Sequence, residues 1–378
     1  MSATPYLAAA DSMNIEEILD GVVAWATVES PTHHLPGVNR MMDFAEGEMR
    51  ALGARIERLP GLQDAWGTAY GDCVVARLPG PGGATGPGIL IMVHLDTVHL
   101  VGTLAGRLPI RREGDKLFGP GVWDMKSGGR IAIHAVKTLH RLGHLPKLPV
   151  TFLFTSDEEV GSPANRARIE AEARRHKYVL VPEPMKGTTC VSGRHAFQRY
   201  RITVHGKPAH AGSTNREGRS AIRAMARLVE TIEGMTNFNR GITYSVGVIQ
   251  GGTFVNVIPT EVKAQVLTVA PDEEAFEEIP SRMLALAGEN DGVRIVVEKG
   301  AIRPLFRANP GTMALFESAR GIAAQIGFDL SHAQTGGGSD ANFTGALGLA
   351  TLDGLGCDGF GAHTFEEHLF ISSVLPRC

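Results

Sequence analysis

The chain has 378 residues, with 37 basic against 40 acidic side chains, a formal net charge of −3 and 43% hydrophobic content. That length fits about two or three domains of roughly 100–200 residues and suffices for a sizeable core. The apolar content excludes disorder as the main state, and the near-neutral balance, without a basic tract or an acidic tail, offers nothing to nucleic acid or acidic lipid.

Residues 1–12 read as a loose leader, lacking both the basic start and the apolar run of a signal peptide. No stretch approaches the ~18 uninterrupted apolar residues of a membrane span. A helix pattern begins near Asn14, with Ile15, Ile18, Leu19, Val22 and Val23 on one face. A second amphipathic helix is expected over Gly37 to Leu52, stopped by Gly53. Cys73–Leu78 reads as a strand and GPGGATGPG, residues 80–88, as a flexible loop. That loop precedes a strand and not a helix, the wrong order for a phosphate cradle. Gly88–Val93 is an apolar run typical of a strand covered on both faces. Helix 127–142, strand Val150–Thr155, helix 163–175 and strand Lys177–Val181 follow. This alternation predicts an α/β unit with a mixed, mostly parallel sheet and flanking helices.

Near Arg194 the pattern changes. Tyr200–Val204 alternates like a half-buried strand, and a long helix is expected from Arg219 to Met235. Strands at 242–249 and 261–269, a helix at 272–287 and a strand at 293–299 complete a small α+β domain with an antiparallel sheet. After Arg303 the helix and strand rhythm returns. The expected organisation is a first segment over 1–193, an inserted domain over 194–304 and a second segment over 305–378. The four cysteines, Cys73, Cys190, Cys357 and Cys378, stand far apart without a CxxC pair. They read as free thiols in a reducing cytoplasm.

Five short stretches carry candidate chemistry. His94-Leu95-Asp96 ends the apolar strand, where open α/β sheets place their sites. In extended chain, i and i+2 project to the same side, so Asp96 could hold the His94 Nδ1–H and leave Nε2 for a metal. Asp124, in GVWDMK just before a helix, reads by itself first as that helix's N-cap and only second as a metal ligand. Asp157-Glu158-Glu159 follows another buried strand; such a run is either a solvated face or a metal donor beside a general base. Glu183 in VPEP stands at a third strand end, and His363 lies in GFGAHTFEEH. Together they form a ligand set of two histidines and several carboxylates without cysteine, suited to zinc, cobalt or manganese. Five ligands with one shared carboxylate would hold two metals about 3.5–4 Å apart.

HLDTV, GPGVWDMKSGG, TSDEEVGS, EP and the late histidine, in this order, resemble the dinuclear zinc metallopeptidases. That family includes glutamate carboxypeptidase, aminoacylase and succinyl-diaminopimelate desuccinylase. The resemblance also covers TVHGKPAHAG, GGTFVNVIP and TGGGSDA, spans nearly the whole chain and is closest to the glutamate carboxypeptidase branch. It implies that Asp124 bridges two divalent ions, most simply zinc, with His94 and Glu183 on one and Glu159 and His363 on the other. It further implies that Asp96 orients His94, that Glu158 is the general base toward an activated water, and that the Asp124–Met125 peptide is cis. His210 in KPAHAG would donate to the oxyanion, from the partner subunit in homodimeric members, and Asn256 would contact substrate. The inserted domain would then serve as lid and dimerisation module.

Two departures concern the substrate, a small molecule on this reading. Family members commonly carry Asp-x-Arg on the third strand of the inserted domain, where this chain reads Lys263-Ala-Gln-Val-Leu267-Thr268-Val269. Gly-Arg-Lys-Gly is replaced by Gly193-Arg194-His195-Ala196. Arg194 and Arg303 are the remaining candidates for gripping a substrate anion. The expected function is metal-dependent hydrolysis of an amide-type C–N bond, as an N-acyl amino acid hydrolase or carboxypeptidase. The alternative is an aminohydrolase releasing ammonia from a small aromatic amine, for which the missing arginine and Trp123 beside Asp124 speak; a third reading is an inactive binding protein.

Overall fold

A strand buried on both faces must send alternate side chains into two different cores. The strand Ile89–His94 does so in the computed structural model. Ile91 and Val93 join a cluster with Trp25, Met41, Met42, Phe152 and Phe154, while Leu90 and Met92 join another with Leu153, Ile169 and Val179. Each such buried Leu, Ile, Val, Met or Phe side chain contributes about 1.5–3 kcal/mol by leaving water. The structure describes residues 10–144 and 146–378. The leader assigned to residues 1–12 therefore lies, through residue 9, outside the described residues.

The strands of this sheet run in the spatial order 55–59, 73–78, 150–155, 89–94, 178–180, 350–352. The first pairings are antiparallel and the last three parallel. His94 is level with Thr155 in the register, and Ile91 with Leu180. Because 89–94, 150–155 and 178–180 are parallel neighbours, their carboxyl ends open on one edge, and the chain there enters the segments of Asp96, Glu158 and Glu183.

Helices cover the sheet much as the periodicity predicts. Ile15–Ala26 is capped by Asn14, whose side chain accepts from the Glu16 amide. The second helix is Leu35–Ala51, starting before Gly37, because Pro36 fits a first turn that needs no N–H. The helix expected over 163–175 is shortened to Arg166–Ala173. The Asp157 carboxylate accepts from the Ala164 and Asn165 amides and holds the approach in a non-helical turn. Within 80–88, only Pro81–Gly83 forms a single 3-10 turn.

A small four-stranded sheet, order 359–360, 368–370, 116–118, 111–113, has no counterpart in the sequence reading. It pairs Leu117 with Leu369 and Phe118 with His368, across a long separation in sequence.

The chain divides into two compact units. One holds the residues through Gly193, Phe306–Thr335 and Ser339–Cys378; the other holds Arg194–Leu305 with Gly336–Gly338. In the second unit an antiparallel sheet runs 243–251, 261–270, 196–205, 293–303, 288–290. Tyr200, Ile202, Val204, Val262, Ala264 and Val266 point from it toward Met225, Ile232, Ile279 and Met283 of helices Ala221–Glu233 and Glu273–Leu284. The short strand Gly288–Asn290 was not foreseen. All four cysteines are free, and among the described residues no helix is long and apolar enough to cross a membrane.

Candidate metal centre

His94 is the last residue of its strand and is 2% exposed. Its Nδ1 lies 3.0 Å from the main-chain oxygen of Asp96 and 3.5 Å from that residue's carboxylate. Asp96 was expected to hold the Nδ1–H. The nearer acceptor is the carbonyl, because the carboxylate is taken up elsewhere: it accepts from the Glu158 and Glu159 amides, each at 3.2 Å, and from the Thr32 hydroxyl at 2.8 Å. With Nδ1–H so engaged, Nε2 is the nitrogen left to meet a metal, which would take the place of its proton.

Asp124 faces two histidines. Its Oδ1 is 3.2 Å from His94 Nε2, and its Oδ2 is 3.4 Å from His363 Nε2. His94 Nε2 is also 3.8 Å from Glu183, and His363 Nε2 is 3.1 Å from Glu159. The N-cap reading of Asp124 does not hold: helix Ser127–Arg141 has no side-chain cap, and the chain over Val122–Lys126 is a wide turn with non-helical Asp124 and Met125. The Asp124–Met125 peptide is cis. Nor is 157–159 a solvated face, since Asp157 is fully buried and Glu158 is 8% exposed.

Among the described residues two overlapping groups could each hold an ion, His94 with Asp124 and Glu159, and His94 with Glu158 and Glu183. In each, the donor atoms lie within 4.8 Å of one another. Nitrogen and carboxylate oxygen without thiolate fit zinc, cobalt or manganese. The electrostatics show how crowded the acids are. Burial pushes Glu159 up to about 8, with Asp124 adding to it. Burial also pushes Glu183 up to about 8, against the attraction of His94. His363 is raised to about 11, chiefly by its hydrogen bonds to Asp124 and Glu159. Burial opposes the charged form of His94, yet Glu183, Asp124 and Asp96 hold it well above its ordinary value. Burial likewise opposes ionised Asp124, and the two histidines overcome it. The charged forms of His94 and His363 supply the positive charge that these crowded carboxylates need, a role a divalent cation would take over.

The other expected site residues lie in the second unit. His210 is exposed, and its Nδ1 accepts from the Gly212 and Ser213 amides at 3.1 and 3.2 Å. The ring proton therefore sits on Nε2, which is a donor. The His210 and Asn256 segments are joined, since the Ala211 amide donates to the Asn256 carbonyl at 2.9 Å. Arg194 donates through Nη1 to the carbonyls of Gly337 and Gly338. Arg303 is buried at the end of its strand, opposite Phe197.

Trp123 is 5% exposed and donates its ring N–H to the Cys357 carbonyl, in a core cluster with Val122, Ile131 and Leu369. It therefore gives no support to an aromatic-amine substrate. Glu367 and His99, both buried and 2.6 Å apart, were not among the candidates visible in the sequence. The signal for Glu367 was its place inside GFGAHTFEEH, masked because adjacent acids usually face water.

Comparison with known proteins follows the same lines. The chain is 30% identical to carboxypeptidase G2 of Pseudomonas sp. (strain RS-16), over 93% of this chain and 84% of that protein. It is 27% identical to acetylornithine deacetylase of Myxococcus xanthus, over 58% of each. The crystal structure of human carnosine dipeptidase 1 shares the fold, with a TM-score of 0.76 at 16% identity, covering 96% of this chain and 94% of that one. The model of peptidase family M20/M25/M40 matches residues 90–378. A buried histidine and carboxylate centre at the edge of a mostly parallel sheet, with these likenesses, makes the chain a metal-dependent hydrolase of amide-type C–N bonds and a member of peptidase family M20/M25/M40.

Proposed function

We propose that the enzyme is an N-acyl amino acid hydrolase or carboxypeptidase working with two divalent ions, zinc by preference, with cobalt or manganese as substitutes. His94 and Glu183 would hold one ion, Glu159 and His363 the other, and Asp124 both. The observation that carries this reading is the division of Asp124, one carboxylate oxygen toward each histidine at 3.2 and 3.4 Å. When bound, the ions lower the pKa of water toward neutrality and polarise the scissile carbonyl.

The protein's own residues supply the rest. Glu158 accepts the proton of the attacking water and returns it to the leaving nitrogen. Asp96 keeps Glu158 and Glu159 in place by receiving both their amides. His210, whose Nε2–H is a donor, stabilises the oxyanion as it forms. Asn256, Arg194 and Arg303 are the proposed substrate contacts. The family likeness to carboxypeptidase G2 supports an amino acid as the leaving group.

The finer cellular reading is a cytoplasmic homodimer. Four free thiols support the reducing compartment. Exposed Val248 and Ile249, on the edge strand Thr243–Gly251, support a self-associating surface. The test is a metal-reconstituted screen of N-acyl amino acids, dipeptides and aminobenzoates. Release of a free amino acid is expected. Ammonia release from an aminobenzoate, or no turnover by protein loaded with two ions, overturns the reading.

A further inference from the structure

Glu367 stands four residues beyond His363 and takes no part in the chemistry above. It is 1% exposed, while the adjacent Glu366 faces solvent. Each of its carboxylate oxygens receives two hydrogen bonds. Oε1 accepts from the amides of Trp123 and Asp124, both at 3.0 Å. Oε2 accepts from the Gly121 amide at 3.0 Å and from His99 Nε2–H at 2.6 Å. The three amides belong to the turn that bears Asp124. That turn enters through Gly121 in the left-handed region, φ +69, and contains the non-helical Asp124 and Met125. Within the turn the Lys126 amide donates to the Gly121 carbonyl at 3.0 Å and the Val122 amide to the Gly119 carbonyl at 3.3 Å, whereas the amides of Gly121, Trp123 and Asp124 are satisfied by Glu367 from outside it. The amide-to-carboxylate bonds are charge-assisted, roughly twice as strong as neutral ones.

Glu367 reaches the turn because it immediately precedes strand His368–Phe370, which pairs antiparallel with Lys116–Phe118 just before the turn. One carboxylate thus ties the segment of Asp124 to the segment of His363. We propose that Glu367, seated by His99, is a positioning residue: it sets the Asp124 turn against the His363 loop, so that the two Asp124 oxygens are aimed at the two histidines before any metal arrives. The inference rests on the two-ion reading given above. It makes a specific demand, because disturbing the shared ligand must weaken both ions, whereas removing a ligand of one ion must weaken mainly that one.

The glutamine variant separates the roles. In Glu367→Gln the amide keeps one acceptor but turns N–H groups toward Gly121, so the turn loses part of its anchor. Zinc affinities of the purified full chain, measured by competition with a chromophoric chelator, should fall about 10–100-fold for both ions. His363→Ala should lower mainly one. His99→Ala should lower both by a smaller factor, and His99→Gln, whose side-chain N–H replaces Nε2–H, should recover most of the loss. Thermal unfolding of the metal-free variants reports any purely structural role. Unchanged zinc affinities in Glu367→Gln, with a lowered metal-free melting temperature, overturn the inference. Should Glu367→Gln not fold, the His99 pair decides: equal affinities for alanine and glutamine variants also overturn it. A wild-type protein that binds no zinc would instead defeat the two-ion reading itself.

Discussion

Glu158 and Glu159 hang from adjacent backbone amides, both received 3.2 Å away by the carboxylate of Asp96. One side chain groups with His94 and Glu183, and the other lies 3.1 Å from His363. The same substitution should therefore have different consequences at the two positions. On the proposed roles Glu158 is the base and not a ligand, although it groups with His94 and Glu183, so Glu158→Gln should lower turnover about 10²–10⁴-fold while metal content stays at that of wild type. Glu159→Gln should lower metal content itself, read by metal analysis after dialysis against limiting zinc. A Glu158→Gln enzyme of near-normal turnover with full metal removes the base assignment. The candidate residues were legible because each stands where an apolar run stops, at His94, Glu158 and Glu183. Glu367 was not, since a local pattern of two acids cannot reveal that one of them is received by amides from a distant turn.

Helix Arg166–Ala173 is held to the sheet by a network around one acid. Glu172 meets Arg77 and, at 2.9 Å, His176, with Arg175 at 3.4 Å. Burial would raise its pKa, but hydrogen bonds from His176 and Arg77 bring it down to about 2 from 4.5. A depressed carboxyl pKa contributes stability that is full above about 4.5 and is lost as pH falls through about 2. Glu172→Gln should therefore flatten the stability profile below pH ~4.5 and cost about 1 kcal/mol at neutral pH, a value kept low by solvent screening. Equal acid slopes for the two proteins in denaturant titrations would contradict this. The central strand makes a larger prediction. Phe154, fully buried against Trp25 and stacked on Phe152, should cost about 3–5 kcal/mol on replacement by alanine. Strand boundaries such as Cys73–Leu78 and Val150–Thr155 were readable because each apolar run is buried over most of its length. The strand Gly288–Asn290 was not, because all three residues are exposed and only pairing with Val293–Ile295 defines it.

For the molecule as a whole, metal and folding should be linked. Glu159 and Glu183 are both pushed up to about 8 by burial, so the metal-free centre keeps acids where their charge is disfavoured. Chelation should lower the melting temperature, and zinc should restore it. Free metal at a thousandfold excess over Kd adds about 4.1 kcal/mol. A melting temperature indifferent to chelator would mean that no ion is bound in the native state. The homodimer reading has its own test: a mixture of His210→Ala and Glu158→Gln chains should recover activity if His210 serves the neighbouring subunit. If exchanged mixtures never exceed either parent, His210 acts within its own chain or not at all.

Local order was carried by the amino-acid pattern itself. Periodicity two or 3.6, with breakers between, suffices to place the helices, the buried strands and the change of rhythm at Arg194, since these depend on which side chains neighbours in sequence can bury together. The kind of chemistry was legible for a related reason, as polar side chains at the ends of apolar strands are exposed to a common edge once those strands are parallel. Pairings across long sequence separations carry no local signature. The small sheet joining Lys116–Phe118 to His368–Phe370, the carbonyl that holds His94, and the grip of Glu367 on the Asp124 turn arise only when the chain closes on itself. There the partner of each polar group is chosen by burial, because an amide or a carboxylate removed from water must take whichever complement the fold brings within reach.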